Sequence, residues 1–311
     1  MNILIASIVI TSTIIFAFTS IYGKILISKI TNSWHFFILQ TLLSIPILII
    51  INFILKPDIG PLFEPEKIII LLIASLFAFV GFVTLYKGFE TGNVSVGGVL
   101  LSARVLVSIP LALLLGEIYP LLVYFFIFIA LIGAFLVSYN EKLSKNDFFK
   151  LKSSGMNYFL VTLVFWAISN SIVRNLNNSV HPLLFLLFRS TIFIIICLIL
   201  YPILNKKLAN NKAISFSSNT LKHAIVYVCI LIIAQLLFLQ ALGESLTIAE
   251  GLGVLEGVFT FLMAILLSKI QYFRNYLLEP LERKTLKVRT IGVIITTLAT
   301  IGVVYILQTI N

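Results

Sequence analysis

The chain has 311 residues, of which 60% are hydrophobic and 11% charged, with a formal net charge of +10. Soluble globular domains carry about 25% charged residues, so this composition excludes a water-soluble fold. The positive charge does not point to a nucleic-acid partner, because Lys and Arg collect in the polar breaks between apolar runs.

Apolar runs near twenty residues recur from end to end, and each is long enough to cross a bilayer as a helix. A transmembrane barrel would show alternating segments of about ten residues instead. The runs predict ten helical spans. The first five fall at approximately 3–22, 34–55, 67–87, 94–115 and 119–139. The second five fall at approximately 155–174, 182–204, 221–242, 246–268 and 289–309. The first run lacks a basic n-region and an A-x-A-like site, so it reads as a retained span. Cys197 and Cys229 lie inside apolar runs and predict no structural disulfide.

The connections at Gly92-Asn93 and Gly243-Glu244-Ser245 are very short, which makes spans three and four, and eight and nine, antiparallel neighbours. Odd-numbered connections hold 17 basic residues, Lys24 and Arg289 among them; even-numbered ones hold three, Lys56, Lys67 and Arg174. The positive-inside rule then places the odd connections in the cytoplasm and both termini outside. Only Arg104 and Arg189 remain inside spans.

Spans one to five and six to ten read as two copies of one unit, dividing the chain at residues 1–150 and 151–311. "FAFTSIYGK" (16–24) lies over "WAISNSIVR" (166–174), so Lys24 meets Arg174. With one residue deleted, Gln40 meets Arg189. The turn "KGFETGNVSV" resembles "QALGESLTIA". Duplicated units with an odd number of spans lie inverted in the membrane, as in many transporters.

In these features the chain resembles the EamA-like branch of the drug/metabolite transporter superfamily over essentially its whole length. The resemblance rests on the aromatic-Ala…Lys/Arg start of each copy, the Arg-bearing span with Arg189 and the small-residue three–four turn. The closing segment "LLLGEIYPLLVYFFIFIALIGAFLVSY" (113–139) completes it. Gln40 departs from the arginine usual there, and "LLSKIQY" replaces Gly-Glu in the second copy. The resemblance implies an all-α fold of ten helices in two inverted repeats and a transport function.

An arginine at the centre of a membrane helix costs roughly 2.5–3.5 kcal/mol. Arg104 is about eleven residues into span four, too deep to reach either surface easily, and needs a buried partner. Glu256 sits about as deep in span nine, 152 residues later, near the repeat offset. The two are expected at similar depth on either side of a central cavity. Two roles fit them: an ion pair that fixes how the copies pack, or the charged poles of a midplane substrate site. Glu256 is also the candidate proton-coupling group. In the plastid sugar-phosphate branch of the superfamily, basic residues occupy spans four and nine. An acid in span nine here argues against phosphorylated substrates.

Trp166 and Asn170 share one helix face and suit a ligand wall. Arg189 either binds substrate or reaches headgroups and a neighbouring carbonyl. Gln40, Tyr86, Gln235 and Gln240 either line the cavity or hydrogen-bond across helices. Glu90, Glu117, Glu244 and Glu250 are expected near turns and solvated. Gly253-x-x-x-Gly257 and Gly98-x-x-x-Ser102 allow close helix approach, and Pro110 is expected to bend span four beyond Arg104.

No P-loop is present, so ATP does not drive transport within this chain. No HExxH or Cys/His cluster indicates a metal, and no cofactor is expected. The sequence predicts a secondary transporter or facilitator for small polar metabolites, amino-acid-like or amphipathic organic compounds, and not an enzyme. A flippase for a lipid-linked headgroup and a non-transporting membrane scaffold are the alternatives. The expected partners are a small-molecule substrate and the lipid bilayer, with proton coupling possible and no nucleic acid. The sequence leaves monomer and homodimer open.

Overall fold

The computed structural model describes residues 3–30, 32–92, 94–137, 155–176, 179–208, 217–277 and 283–309. The loops with Lys142, Lys145, Lys150, Lys152 and Lys212, the turn residue Asn93 and both chain ends lie outside the described residues. Among the described residues the structure is helical, with no strands.

The first half contains α1 (Ile3–Lys29), α2 (Ser33–Leu55), α3 (Pro65–Thr91), α4 (Val94–Ser102), α5 (Val105–Leu114) and α6 (Leu121–Val137). The second contains α7 (Met156–Asn175), α8 (Pro182–Leu208), α9 (Ser218–Glu244), α10 (Leu246–Gly253), α11 (Leu255–Ser268), α12 (Gln271–Leu277) and α13 (Arg283–Thr309). Among the described residues, eight helical segments are long and apolar enough to cross a membrane, and Leu100–Leu114 and Leu121–Val137 are shorter apolar helices. The chain is a multi-pass membrane protein. Apolar side chains such as Phe53, Leu114, Leu121 and Leu198 stay exposed on its outside, as a lipid-facing surface requires.

Helices across the halves pack in pairs: α1 on α9, α3 on α7, α2 on α8, α4 on α11 and α6 on α13. The last pair is the most extensive. A Cβ built on Gly133 would lie 2.7 Å from the Thr296 backbone nitrogen, and one on Gly292 2.8 Å from that of Val137. Only glycine permits two helix backbones to approach so far. Thr296 Oγ1 then reaches the Ala130 carbonyl at 3.2 Å.

The fourth span of each half is broken. In the first half the interruption falls at Ala103–Arg104, between α4 and α5; in the second it falls at Val254, between α10 and α11. The break precedes Pro110, which instead sits inside α5. At Ala103 and Arg104 the backbone switches to tighter i→i+3 bonds, donated to Leu100 and Leu101. Ser102 ties the two breaks together. Its hydroxyl lies 3.1 Å from the Val254 carbonyl and accepts from the Gly257 N–H at 3.2 Å.

Two basic residues expected in loops are structural. Lys24 is buried and donates to the carbonyls of Phe89 and Gly92 at the end of α3. Arg174 does the same at the end of α9, donating to Gly243 at 2.9 Å and Glu244 at 3.1 Å. Cations suit helix C-termini, where carbonyls lack intrahelical partners. Arg289 is also buried rather than solvated, with Nη1 3.4 Å from Ser95 Oγ and its guanidinium over the Phe261 ring.

Candidate functional site

The two helix breaks deliver charged side chains to one interior space. Arg104, at the start of α5, is buried, as is Glu256 in the first turn of α11. The positive end of α11 favours a carboxylate there. Arg104 Nη1 and Glu256 Oε2 are 3.7 Å apart, a charge contact longer than a hydrogen bond.

The closer partner of Arg104 is Glu250, whose Oε2 accepts from Arg104 Nε. Sequence position suggested a solvated residue near the eight–nine turn; the structure corrects this, since Glu250 is only 1% exposed. The reason is packing on every side. α10 is a short helix whose whole length is buried between neighbours, so its proximity to a turn does not bring water. Asn170 Nδ2 donates to the other oxygen, Glu250 Oε1, at 2.7 Å. The Arg104 guanidinium also lies over the rings of Trp166 and Phe238 at 5.8 and 5.3 Å, positions that favour a cation.

Arg104, Glu256, Asn170, Trp166 and Phe238 line a central cavity with about 50 Å³ of free space, together with Phe16, Phe82, Arg189, Gln235 and Leu239. Arg189 is buried and donates from Nη2 to Gln235 Oε1 at 2.7 Å, surrounded by the rings of Phe82, Phe185 and Phe193.

Gln40 and Tyr86 do not line this space. They bond to each other, Tyr86 Oη donating to Gln40 Oε1 at 2.9 Å, and Tyr86 Oη also lies 3.2 Å from Tyr227 Oη. Gln240 is exposed and lines a separate vestibule of about 640 Å³ with Asp58, His181, Leu236 and Glu244. That vestibule opens at the end of the molecule bearing the even-numbered connections. Gln235 and Leu239, on the same helix, line the central cavity.

Glu117, expected in solvent, closes the same end of the bundle. Its carboxylate accepts from Arg174 Nε at 2.7 Å, from the Leu246 and Thr247 N–H groups at 2.9 Å each, and from Ser245 Oγ at 3.0 Å. It thereby caps the N-terminus of α10 from the opposite half of the chain. Burial raises the carboxyl's pKa, but the backbone bond from Thr247, the Arg174 contact and the other donors outweigh it and hold the pKa below the usual value.

Residues 3–139 match the EamA-like transporter family. The first half of the chain is thus similar to the EamA-like transporters, which belong to the drug/metabolite transporter superfamily. A solved structure described only as the crystal structure of a protein is similar over 96% of this chain and 94% of its own, with a TM-score of 0.66 at 11% identity. That likeness concerns the fold alone. No curated protein matches.

Proposed function

We propose that this EamA-like chain is a secondary transporter or facilitator of small polar metabolites, working by alternating access between two inverted five-helix repeats, residues 1–150 and 151–311. The contacts between helices support the repeat. Exchanging the halves turns the α1–α9 contact into α7–α3 and the α4–α11 contact into α10–α5, both present, and leaves α2–α8 and α6–α13 paired as before. Both fourth spans break at their middles, about 151 residues apart, as the repeat offset requires.

The observation that carries the function is the charged cavity at those breaks. Discontinuous helices meeting at the midplane are how many transporters build a substrate site. Four buried ionisable side chains, Arg104, Glu250, Glu256 and Arg189, are costly in a membrane interior and mark a pathway by default. The vestibule beside Gln240 supports an opening toward the even-numbered connections. By the distribution of basic residues, that side is outside. Glu256 is the proposed proton-coupling group, because two carboxylates share the single guanidinium of Arg104.

The test is uptake into proteoliposomes of a panel of amino acids, nucleobases and amphipathic cations, with and without a pH gradient. Saturable uptake that collapses in Arg104→Ala and Glu256→Gln is expected. Uptake that is unchanged in both variants would overturn the central site. Uptake indifferent to the gradient in the parent protein would remove proton coupling.

A further inference from the structure

Another cavity, of about 440 Å³, lies between α2, α3, α7 and α8, away from the central one. Its volume is that of a small-ligand pocket. It belongs to the end of the bundle bearing the odd-numbered connections: Asn32 and Trp34 follow the first, Lys87 precedes the third and Tyr158 follows the fifth. Phe37, Phe79 and Leu200 make its interior apolar. Beside Leu200 on α8, Leu198 and Ile199 are 68% and 65% exposed, on the surface that meets lipid. The cavity thus borders the membrane side of α8.

Its polar groups are donors. Among the described residues that line it, none is a carboxylate. Lys87 keeps 41% of its side chain exposed. Asn32 Nδ2 and Trp34 Nε1 are buried N–H donors with no hydrogen-bond partner among the described residues. The Asn32 oxygen, by contrast, is used, accepting from the His35 N–H at 2.9 Å to cap α2. Lys87 lies 3.1 Å from Glu90 Oε2, and that carboxylate also accepts from the Ser33 N–H at 3.2 Å and from the Ser33 hydroxyl. The positive end of α2 therefore offsets part of the Glu90 charge, and the Lys87 ammonium has two further donors to give. Buried donors without acceptors are unfavourable. An anion with an apolar tail supplies acceptors to the donors and hydrocarbon to the aromatic interior.

We infer that this cavity binds one anionic phospholipid, its phosphate at Lys87 beside Asn32 and Trp34 and an acyl chain against Phe37, Phe79 and Leu200. Basic pockets between membrane helices on the cytoplasmic side bind anionic headgroups, and the proposed orientation puts this cavity at that leaflet. Both unpartnered N–H groups are covered by neighbouring atoms, so the phosphate reaches them as those side chains shift. A zwitterionic lipid would bring a cation to a rim made of donors. A fatty acid shares the tail and the charge, but a phosphodiester with its glycerol esters brings more acceptors to three donor side chains. The site stands apart from the substrate pathway and does not rest on the transporter reading.

The test uses the full chain with Trp166→Phe, which leaves Trp34 as the sole tryptophan. In phosphatidylcholine nanodiscs its fluorescence is titrated with dibrominated phosphatidylglycerol, dibrominated phosphatidylcholine or a dibrominated fatty acid as quencher. Half-maximal quenching is expected at a mole fraction of phosphatidylglycerol ~5- to 10-fold lower than that of either other quencher. Lys87→Gln should abolish this preference, and Lys87→Arg should keep it. Asn32→Asp retains the oxygen that caps α2 but puts negative charge where the donor was, and should also abolish it. With both tryptophans kept, unbrominated phosphatidylglycerol should raise the unfolding midpoint of the parent protein more than that of Lys87→Gln. A cooperative unfolding transition in each variant separates lost binding from misfolding.

Equal quenching by the two phospholipids would overturn the inference, as would stronger quenching by the fatty acid. So would a preference that persists in both Lys87→Gln and Asn32→Asp. Solute flux without the lipid preference would sink this inference and leave the transporter reading standing; the lipid preference without flux of any solute would do the reverse.

Discussion

Arg189 and Gln235 are joined by a 2.7 Å hydrogen bond between α8 and α9, 46 residues apart in the chain. Tyr86 and Gln40 form the corresponding bond between α3 and α2, also 46 residues apart. The same cross-link thus recurs in both halves, neutral in the first and cationic in the second. This difference leaves one unbalanced cation beside the cavity. It also predicts unequal costs. Tyr86→Phe removes a neutral hydrogen bond and should cost about 1 kcal/mol, whereas Gln235→Leu strips an acceptor from a buried guanidinium and should cost ~1.5–3 kcal/mol. Thermal unfolding in one detergent compares them; equal losses would show that the charge does not matter there.

Glu250 should matter more for stability than Glu256. It holds both Arg104 and Asn170, so Glu250→Ala leaves a buried cation and a buried amide short of partners. Breaking one side of a buried pair costs ~3–5 kcal/mol. Glu256→Ala removes only the 3.7 Å contact and should cost clearly less. Unfolding midpoints in the reverse order would contradict the geometry.

Glu117 makes stability depend on acid. Its carboxyl titrates below the reference value of 4.5 in the folded protein, because four donors outweigh its burial. A group with a depressed folded pKa contributes stability that is fully present above the unfolded value and is lost as pH falls through the folded one. The parent protein and Glu117→Gln should therefore differ most at neutral pH and converge as the pH drops below about 4.5. Parallel unfolding curves down to pH 3 would rule out this cap as the cause.

The α6–α13 interface leaves no room for side chains at its crossing. Gly133→Leu would drive a branched side chain into the backbone of Thr296 and should cost at least ~1–3 kcal/mol. The check is the unfolding midpoint together with the yield of folded protein. Near-parental values would mean that the two helices are free to separate.

The orientation has an independent measurement. A reporter fused after residue 311 should be active only outside the cytoplasm, since the bias of 17 basic residues against three assigns the odd-numbered connections to the inside. A cytoplasmic signal would reverse the assignment. The bias is less simple than the sequence count suggests, because Lys24 and Arg289 are buried in helix contacts.

Hydropathy alone was enough to locate the apolar spans. The bilayer sets a length of about twenty residues, and polar breaks between such runs are visible without tertiary information. The Lys24–Arg174 and Gln40–Arg189 alignments were legible as well, and these residues sit in matching helix caps and cross-links. Arg104 was legible as an anomaly for the same reason, since a charge in an apolar run needs a partner. Its depth and the repeat offset led to Glu256, which is indeed in contact with it.

What the linear chain could not disclose was Glu250, Arg104's closer partner. Distance from a turn measures position along a helix, while burial depends on what packs over it, and α10 is covered on all its faces. Only the assembled bundle decides that. The same holds for Glu117, whose donors come from 57 to 130 residues away, and for Arg189, whose unsatisfied Nε appears only once every neighbouring side chain is in place. Composition and period determine that a charge is buried in this protein; tertiary packing determines which opposite charge, amide or ring surrounds it, because those contacts join helices distant in sequence.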